Sequence, residues 1–247
     1  MICAPIVALS LYGLAGGPFW ATTNPWNVGA VNYAETITVN PCTFPNGTVI
    51  KWSFPSTQNA QNVYSYPEIV YGSNWGTQPA STIPAKPISA LTTLQVNYNV
   101  SVSAGWNDYD CLIETWPSST AIPNAQTKLA EVGFLCHTPF ASWWQVLTAL
   151  DKYWYADDAH GFYALIATVQ GGSGMPFIIV MPLNWRYGIL PRDMIVGDQR
   201  MPIITLLKDL VRRGKIPDSY ITGFEFGFEV GANSGSATFN NITWYWK

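Results

Sequence analysis

Charge is scarce in this chain. Asp, Glu, Lys and Arg make up 11% of its 247 residues, well under the usual quarter, and the formal net charge is −3. No run of basic residues occurs, which argues against nucleic acid or an anionic membrane surface as a partner. No stretch of 18 or more apolar residues suggests a transmembrane helix. The opening Met1–Gly17 is apolar and uncharged but lacks the basic start of a signal peptide, so it reads as mature strand, behind an added Met1. The four cysteines, Cys3, Cys42, Cys111 and Cys136, lack the close spacings of zinc ligands. Asp157-Asp158 has no further ligands at calcium-loop spacing. Neither a metal nor a cofactor is expected.

Aromatic and turn-forming residues are abundant instead. Fifteen per cent of the chain is Phe, Trp or Tyr, including 12 Trp, and 20 Gly and 18 Pro divide short strand-like runs. That pattern predicts an all-β protein. No linker or repeat breaks it, so residues 1–247 read as a single domain and the chain as a monomer. Twelve Trp exceed what a core of this size needs, so some are expected to line a groove. Flat sugar faces stack on indoles, and sugar hydroxyls suit amides and carboxylates. Sequons at Asn46, Asn99 and Asn241 fit a secreted chain.

Candidate strands include Asn27–Val39, Asp110–Trp116, Leu129–His137, Trp143–Leu147, Phe162–Gln170, Phe177–Leu183 and Ser219–Val230. One segment has helical period. Pro202–Arg213 spaces Ile203, Leu206, Leu207 and Leu210 along one face, with Pro202 at its start, Gly214 at its end and basic Arg212 and Arg213 in the last turn. It predicts one helix on the outside of a sheet.

Three strands carry acids on a face whose reverse is apolar. In Ile221–Gly231 the period of two puts Glu225, Gly227 and Glu229 on one side and Phe224, Phe226, Phe228 and Val230 on the other. Asp110, Leu112, Glu114 and Trp116 share a face opposite Cys111, Ile113 and Thr115. Glu131, Gly133, Leu135 and His137 share one opposite Val132, Phe134 and Cys136. If these faces line one concave sheet, their carboxyls converge. Two carboxyls of unequal proton affinity are what glycoside hydrolysis needs. By the same parity Cys111 and Cys136 point to the core, either as a cross-strand disulfide or as two free thiols. Cys3 and Cys42 are then left to staple the N-terminal strand.

The chain resembles glycoside hydrolase family 12, and most closely its thermophilic prokaryotic endoglucanases. The resemblance lies in Pro25-Trp-Asn27, Ser65-Tyr-Pro-Glu-Ile-Val-Tyr-Gly72, Ile113-Glu-Thr-Trp116, Ala130-Glu131 and Gly227-Phe-Glu-Val-Gly231, in the family's order over nearly the whole chain. It implies a β-jelly roll of two antiparallel sheets, the inner one curved around a substrate cleft, and a retaining endo-acting enzyme on β-1,4-glucans. It puts the nucleophile at Glu131, the general acid/base at Glu229 and a supporting acid at Glu114. Trp26 matches a tryptophan that stacks on a glucosyl unit. Members commonly read Glu-x-Met-x-Trp after the nucleophile, whereas this chain has Gly133 and Leu135 there, which bears on the subsites beside the scissile bond.

Tyr66, Trp75, Trp116 and His137 complete the expected substrate-binding set, with Glu68 and Glu225 as hydrogen-bonding support. Three other readings stand beside this one, of which a structural jelly-roll protein such as a capsid subunit would predict an acid-poor inner face. A non-catalytic carbohydrate-binding jelly roll gives no reason for three acidic strands, and a xylanase of the related jelly-roll family accords less well with the helix and the Gly-Phe-Glu-Val-Gly stretch.

Overall fold

Side-chain alternation decides which way each strand faces. In Gly223–Val230, Phe224, Phe226 and Phe228 are fully buried in the main core, as the period of two predicts. Cys111 and Ile113 on Tyr109–Thr115, and Val132 and Phe134 on Glu131–His137, enter the same core. The computed structural model describes residues 4–13, 17–56, 63–73, 83–171 and 174–247.

Among the described residues the strands begin, in chain order, with β1 (Ile6–Leu9), β2 (Leu11–Gly13), β3 (Phe19–Thr22), β4 (Ala34–Val39), β5 (Thr48–Ser53) and β6 (Glu68–Gly72). There follow β7 (Lys86–Pro87), β8 (Leu94–Ser103), β9 (Tyr109–Thr115), β10 (Glu131–His137), β11 (Asp151–Asp157) and β12 (Phe162–Gln170). The last are β13 (Pro176–Leu183), β14 (Gln199–Met201), β15 (Tyr220–Ile221), β16 (Gly223–Val230) and β17 (Ser234–Trp246). Two α-helices, α1 (Phe140–Thr148) and α2 (Ile203–Arg212), join them.

Nine strands form one sheet in the order β11-β12-β13-β10-β9-β16-β6-β3-β2, and six form another, β1-β4-β5-β17-β8-β14. The two pack face to face as a β-jelly roll, the expected all-β class. Among the described residues one strand pairing is not antiparallel: β10 runs parallel to β13, with Glu131 beside Phe177. After β10, α1 carries the chain to the edge of the sheet, and the meander β11-β12-β13 returns inward. Three antiparallel strands leave the last one running in the direction of β10.

Aromatic rings join the sheets. Phe224 stacks on Trp244 at 5.2 Å, Phe226 meets Tyr98 and Phe239 edge-on at 4.8 and 5.2 Å, and Phe228 stacks on Trp52 at 5.8 Å. Such pairs add to the apolar area they remove from water. The tryptophan surplus is therefore partly structural, since Trp20, Trp52 and Trp244 are buried.

Several elements differ from the sequence reading. Trp143–Leu147 is not a strand but lies within α1. Its apolar residues Trp143, Val146 and Leu147 follow the i, i+3, i+4 period and pack on Leu112, Leu135 and the inner residues of β12 and β13. A second helix thus covers part of the concave sheet. Only Ala34–Val39 of Asn27–Val39 is strand, and Ser219–Val230 divides into β15 and β16 at Thr222.

Helix α2 matches its expected span. Leu206, Leu207 and Leu210 enter the main core, and Gly214 takes the left-handed conformation that ends the helix. Buried Asp209 is paired with Arg212 and, at 2.9 Å, with Arg213, and it accepts the Tyr153 hydroxyl at 2.9 Å, which fastens the helix to β11.

Cys111 and Cys136 are free buried thiols, which removes the disulfide alternative for that pair. The strand β10 bulges between Leu135 and His137, so His137 rather than Cys136 stands opposite Cys111. Cys136 instead accepts the Tyr98 hydroxyl at 3.1 Å. Cys42 is disulfide-bonded, and Cys3 lies outside the described residues.

The rings between the sheets generate the first prediction. Phe226→Ala is expected to destabilise the fold by about 3–5 kcal/mol, read from denaturant unfolding. A loss below about 1 kcal/mol would mean that the sheets do not depend on this contact.

Candidate active site

The acids that alternate with the core aromatics all emerge on the concave face of the nine-stranded sheet. Pairing of β16 with β9 sets Glu225 opposite Glu114 and Glu229 opposite Asp110. Pairing of β10 with β9 sets Gly133 opposite Glu114, which leaves Glu131 diagonal to it. On the other flank Gly227 stands opposite Glu68 of β6. Six carboxyls thus rise from four adjacent strands. Glu114, Glu131, Glu225 and Glu229 line one cleft of about 450 Å³ together with Asn24, Trp26, Tyr66, Trp116 and Phe177.

Two glycines make room for this lining. A Cβ on Gly227 would lie 2.8 Å from the Glu68 Cβ and 2.9 Å from the Tyr66 ring, so only glycine lets Tyr66 lie across the strand between Glu225 and Glu229. A Cβ on Gly133 would lie 2.9 Å from the ring of Phe177. Phe177, from the parallel neighbour strand, fills the space over Gly133 and beside Glu131.

The carboxyls form two pairs. Glu114 and Glu131 share a hydrogen bond that raises proton affinity at Glu114 and lowers it at Glu131. Glu114 is therefore the partner that keeps the proton and donates it. Burial pushes Glu114 well above the usual carboxyl range, and the charges of Glu131, Glu229 and Glu225 add to this. Burial raises Glu131 as well, the bond from Glu114 opposes the shift, the charge of Glu229 adds to it and the Lys128 ammonium opposes it. The net direction is upward, but less so than at Glu114.

The second pair is Glu229 with Asp110. Burial, then the charge of Asp110 and the hydrogen bond to it, push Glu229 well above the usual range. Asp110 rises only to about 6, because hydrogen bonds from Glu229 and from the Ser142 hydroxyl (3.0 Å) stabilise its ionised form against burial. One member of each pair thus keeps its proton, and across the cleft an ionisable Glu131 faces a protonated Glu229.

The remaining expected residues divide. Trp26 is 59% exposed at the cleft, with its indole open to a ligand. Tyr66 is buried and donates its hydroxyl to the Leu112 carbonyl at 3.0 Å, so it contributes ring edge. Trp116 forms a wall, its indole N–H on Glu225 at 3.2 Å and one face covered by Lys128 at 4.0 Å. Glu68 accepts from Asn24 at 3.1 Å. Trp75 lies outside the described residues.

His137 is corrected. The bulge in β10 turns its side chain out of the cleft. It is fully buried, stacked on Tyr109 at 4.5 Å and bonded through Nε2 to the Trp106 carbonyl at 2.9 Å. A sugar hydroxyl has no route to it.

Three participants escaped the sequence reading. Asp110 shared the face of Glu114, so its strand parity was visible, but its partner Glu229 is 119 residues away. Asn24 and Lys128 sit in irregular segments where period carries no signal.

No protein-family model and no curated protein matches this chain. Its fold, however, is that of solved family 12 glycoside hydrolase structures. A family 12 xyloglucanase from Bacillus licheniformis superposes with a TM-score of 0.73 at 16% identity, covering 99% of this chain and 100% of that one. The catalytic domain of Humicola grisea Cel12A, in complex with a soaked thio cellotetraose, gives 0.71 at 11% identity and 99% coverage of both chains. The xyloglucanase domain of NopAA, a type three effector from Sinorhizobium fredii solved with cellobiose, gives 0.67 at 17% identity over the full length of both.

The buried acids have a consequence for stability. Unfolded carboxyls ionise at about pH 4. Asp110 reaches about 6, and Glu35 on β4, outside the cleft, reaches about 7 through burial, opposed by the bond from Ser65. Between these values the folded chain holds more protons than the unfolded one, so stability falls as pH rises. The contribution is full below about pH 4 and lost by about pH 7. The thermal midpoint is expected to drop by several degrees between pH 5 and pH 7, with a shallower slope in Glu35→Gln. A flat or rising midpoint in the parent protein contradicts this.

Proposed function

We propose that this chain is a family 12 glycoside hydrolase, a retaining endo-acting enzyme that cleaves β-1,4-glucosidic bonds of soluble and cellulosic β-glucans. The observation that carries the reading is the opposite polarisation of two carboxyl pairs on the concave sheet, with Glu131 and Glu229 both lining the cleft. Glu131 accepts a hydrogen bond from Glu114 and is favoured as the carboxylate, while Glu229 is held protonated beside Asp110. Retaining hydrolysis needs an ionised nucleophile and a neutral acid facing each other across the scissile bond.

In the first step Glu131 attacks the anomeric carbon and Glu229 gives its proton to the departing glycosidic oxygen. Loss of that proton leaves a Glu229 carboxylate, which then takes one from water as the water attacks the glycosyl-enzyme. Glu114 keeps Glu131 oriented and ionised in the free enzyme. Asp110 maintains the proton affinity of Glu229. Trp26 offers an exposed indole face to a sugar ring at the cleft. The protein is proposed to act as a secreted monomer on polysaccharide, needing only its own carboxyls and water.

A carbohydrate-binding protein has no need of a protonated buried acid, and activity separates the two readings. Reducing-sugar release from carboxymethylcellulose, mixed-linkage β-glucan, xyloglucan and xylan is measured side by side. Hydrolysis of the glucans above xylan is expected, and binding without hydrolysis of any of them would return the chain to the binding class. Proton NMR of the first products is expected to report the β anomer. Glu131→Gln and Glu229→Gln are expected to lower kcat by about 10²–10⁴-fold or more. Near-parental turnover in either variant removes that residue from its role.

Asp110→Asn supplies a further check. Removing the neighbouring charge lowers the proton affinity of Glu229, so the alkaline limb of the pH profile is expected to move toward acid by roughly one unit or more. An unmoved limb would detach Asp110 from the acid/base.

A further inference from the structure

Lys128 is the one lysine or arginine that is buried among the described residues, at 5% exposure. It lies three residues before Glu131, at the end of the loop from Pro117. Its backbone is fixed there by a bridge to Ser118, by its own N–H on the Asn124 carbonyl at 3.3 Å, and by the bond from Leu129 N–H to the Pro117 carbonyl at 2.9 Å. The side chain turns inward, and its ammonium sits 4.0 Å from the centre of the Trp116 ring. That indole in turn donates to Glu225. The titratable groups that act on the ammonium come from four strands: Glu225 of β16, Glu131 of β10, Glu114 of β9 and Glu68 of β6.

Burying an ammonium is costly, and a neutral side chain of similar shape would avoid that cost. Its surroundings repay part of that cost through an indole face and four carboxyls. An ammonium at this point favours the ionised form of each acid it faces. Of those four, Glu131 is the one the proposed reaction needs as a carboxylate, and Glu114 alone supplies only a neutral hydrogen bond to it.

We propose that Lys128 is a positioning residue of the site, the buried countercharge that keeps Glu131 ionised at acidic pH. This rests on the reading of Glu131 as nucleophile. The ammonium does not touch the substrate's reacting atoms. It acts through the field it sets at Glu131, while Trp116 and Glu225 hold it in place. Burial lowers its own proton affinity, to a pKa of about 7, so it carries its charge in the acidic range below that value.

The test uses the full chain labelled with 13C at the glutamate carboxyl carbons, with the Glu131 signal assigned from Glu131→Gln. Carboxyl titration is followed by NMR in the parent, in Lys128→Met and in Lys128→Arg. In Lys128→Met the Glu131 midpoint is expected to rise by roughly one unit or more, and in Lys128→Arg, which keeps the charge, to stay near the parent. The acid limb of kcat/KM on β-glucan is expected to move with the midpoint. An unchanged Glu131 midpoint in Lys128→Met overturns the proposal. If that variant does not fold, Lys128→Gln carries the same expectation and the same refutation. A midpoint that moves in a chain that cleaves no glucan leaves the countercharge standing and sinks the hydrolase reading, so the two fail separately.

Discussion

Burial of Phe224, Phe226 and Phe228 between the sheets is the contact on which the rest of the molecule depends. A strand has no third direction, so three phenylalanines driven inward leave Glu225, Gly227 and Glu229 on the concave face. The same logic on β9 and β10 brings out Asp110, Glu114 and Glu131. The apolar area gained on one side anchors acids on the other in positions that their mutual repulsion would otherwise disfavour. The site is thus held by the core beneath it rather than by contacts among its own members.

Crowding then does the chemical sorting. Six carboxyls on four strands cannot all ionise in a partly dry cleft, and each close pair keeps a proton on one member. The register decides which. Glu131 is diagonal to Glu114 and within the field of Lys128, whereas Glu229 faces Asp110 and no cation. Two residues of one type therefore acquire opposite proton affinities from their neighbours. Buried Trp116 and half-buried Phe177 beside them limit the water that would level the difference.

Helix α1 shows how far strand parity reaches. It lays Trp143, Val146 and Leu147 over the inner residues of β12 and β13, covering apolar surface at one side of the concave sheet. Sequence period would have supported that helix, since its apolar residues are three and four apart behind Pro139. Aromatic residues also suit a strand, the element expected over Trp143–Leu147, so composition and period point different ways there. The bulge in β10 is a different matter. Nothing in Leu135-Cys-His137 announces an extra residue, and that one residue turns His137 into the core and sets Cys136 out of register with Cys111.

The alternation of Phe and Glu along β16, and its weaker copies on β9 and β10, determined from sequence alone which side chains are core and which face outward, because local stereochemistry fixes that parity. The helix Ile203–Arg212 was legible for the same reason, through period and a terminal glycine. Only the tertiary structure decided which acids become partners. Glu229 meets Asp110 and Glu131 meets Glu114 through strand order and register, and these are set by pairing between segments far apart in the chain. The cation that enters their midst from an irregular loop has no period to betray it.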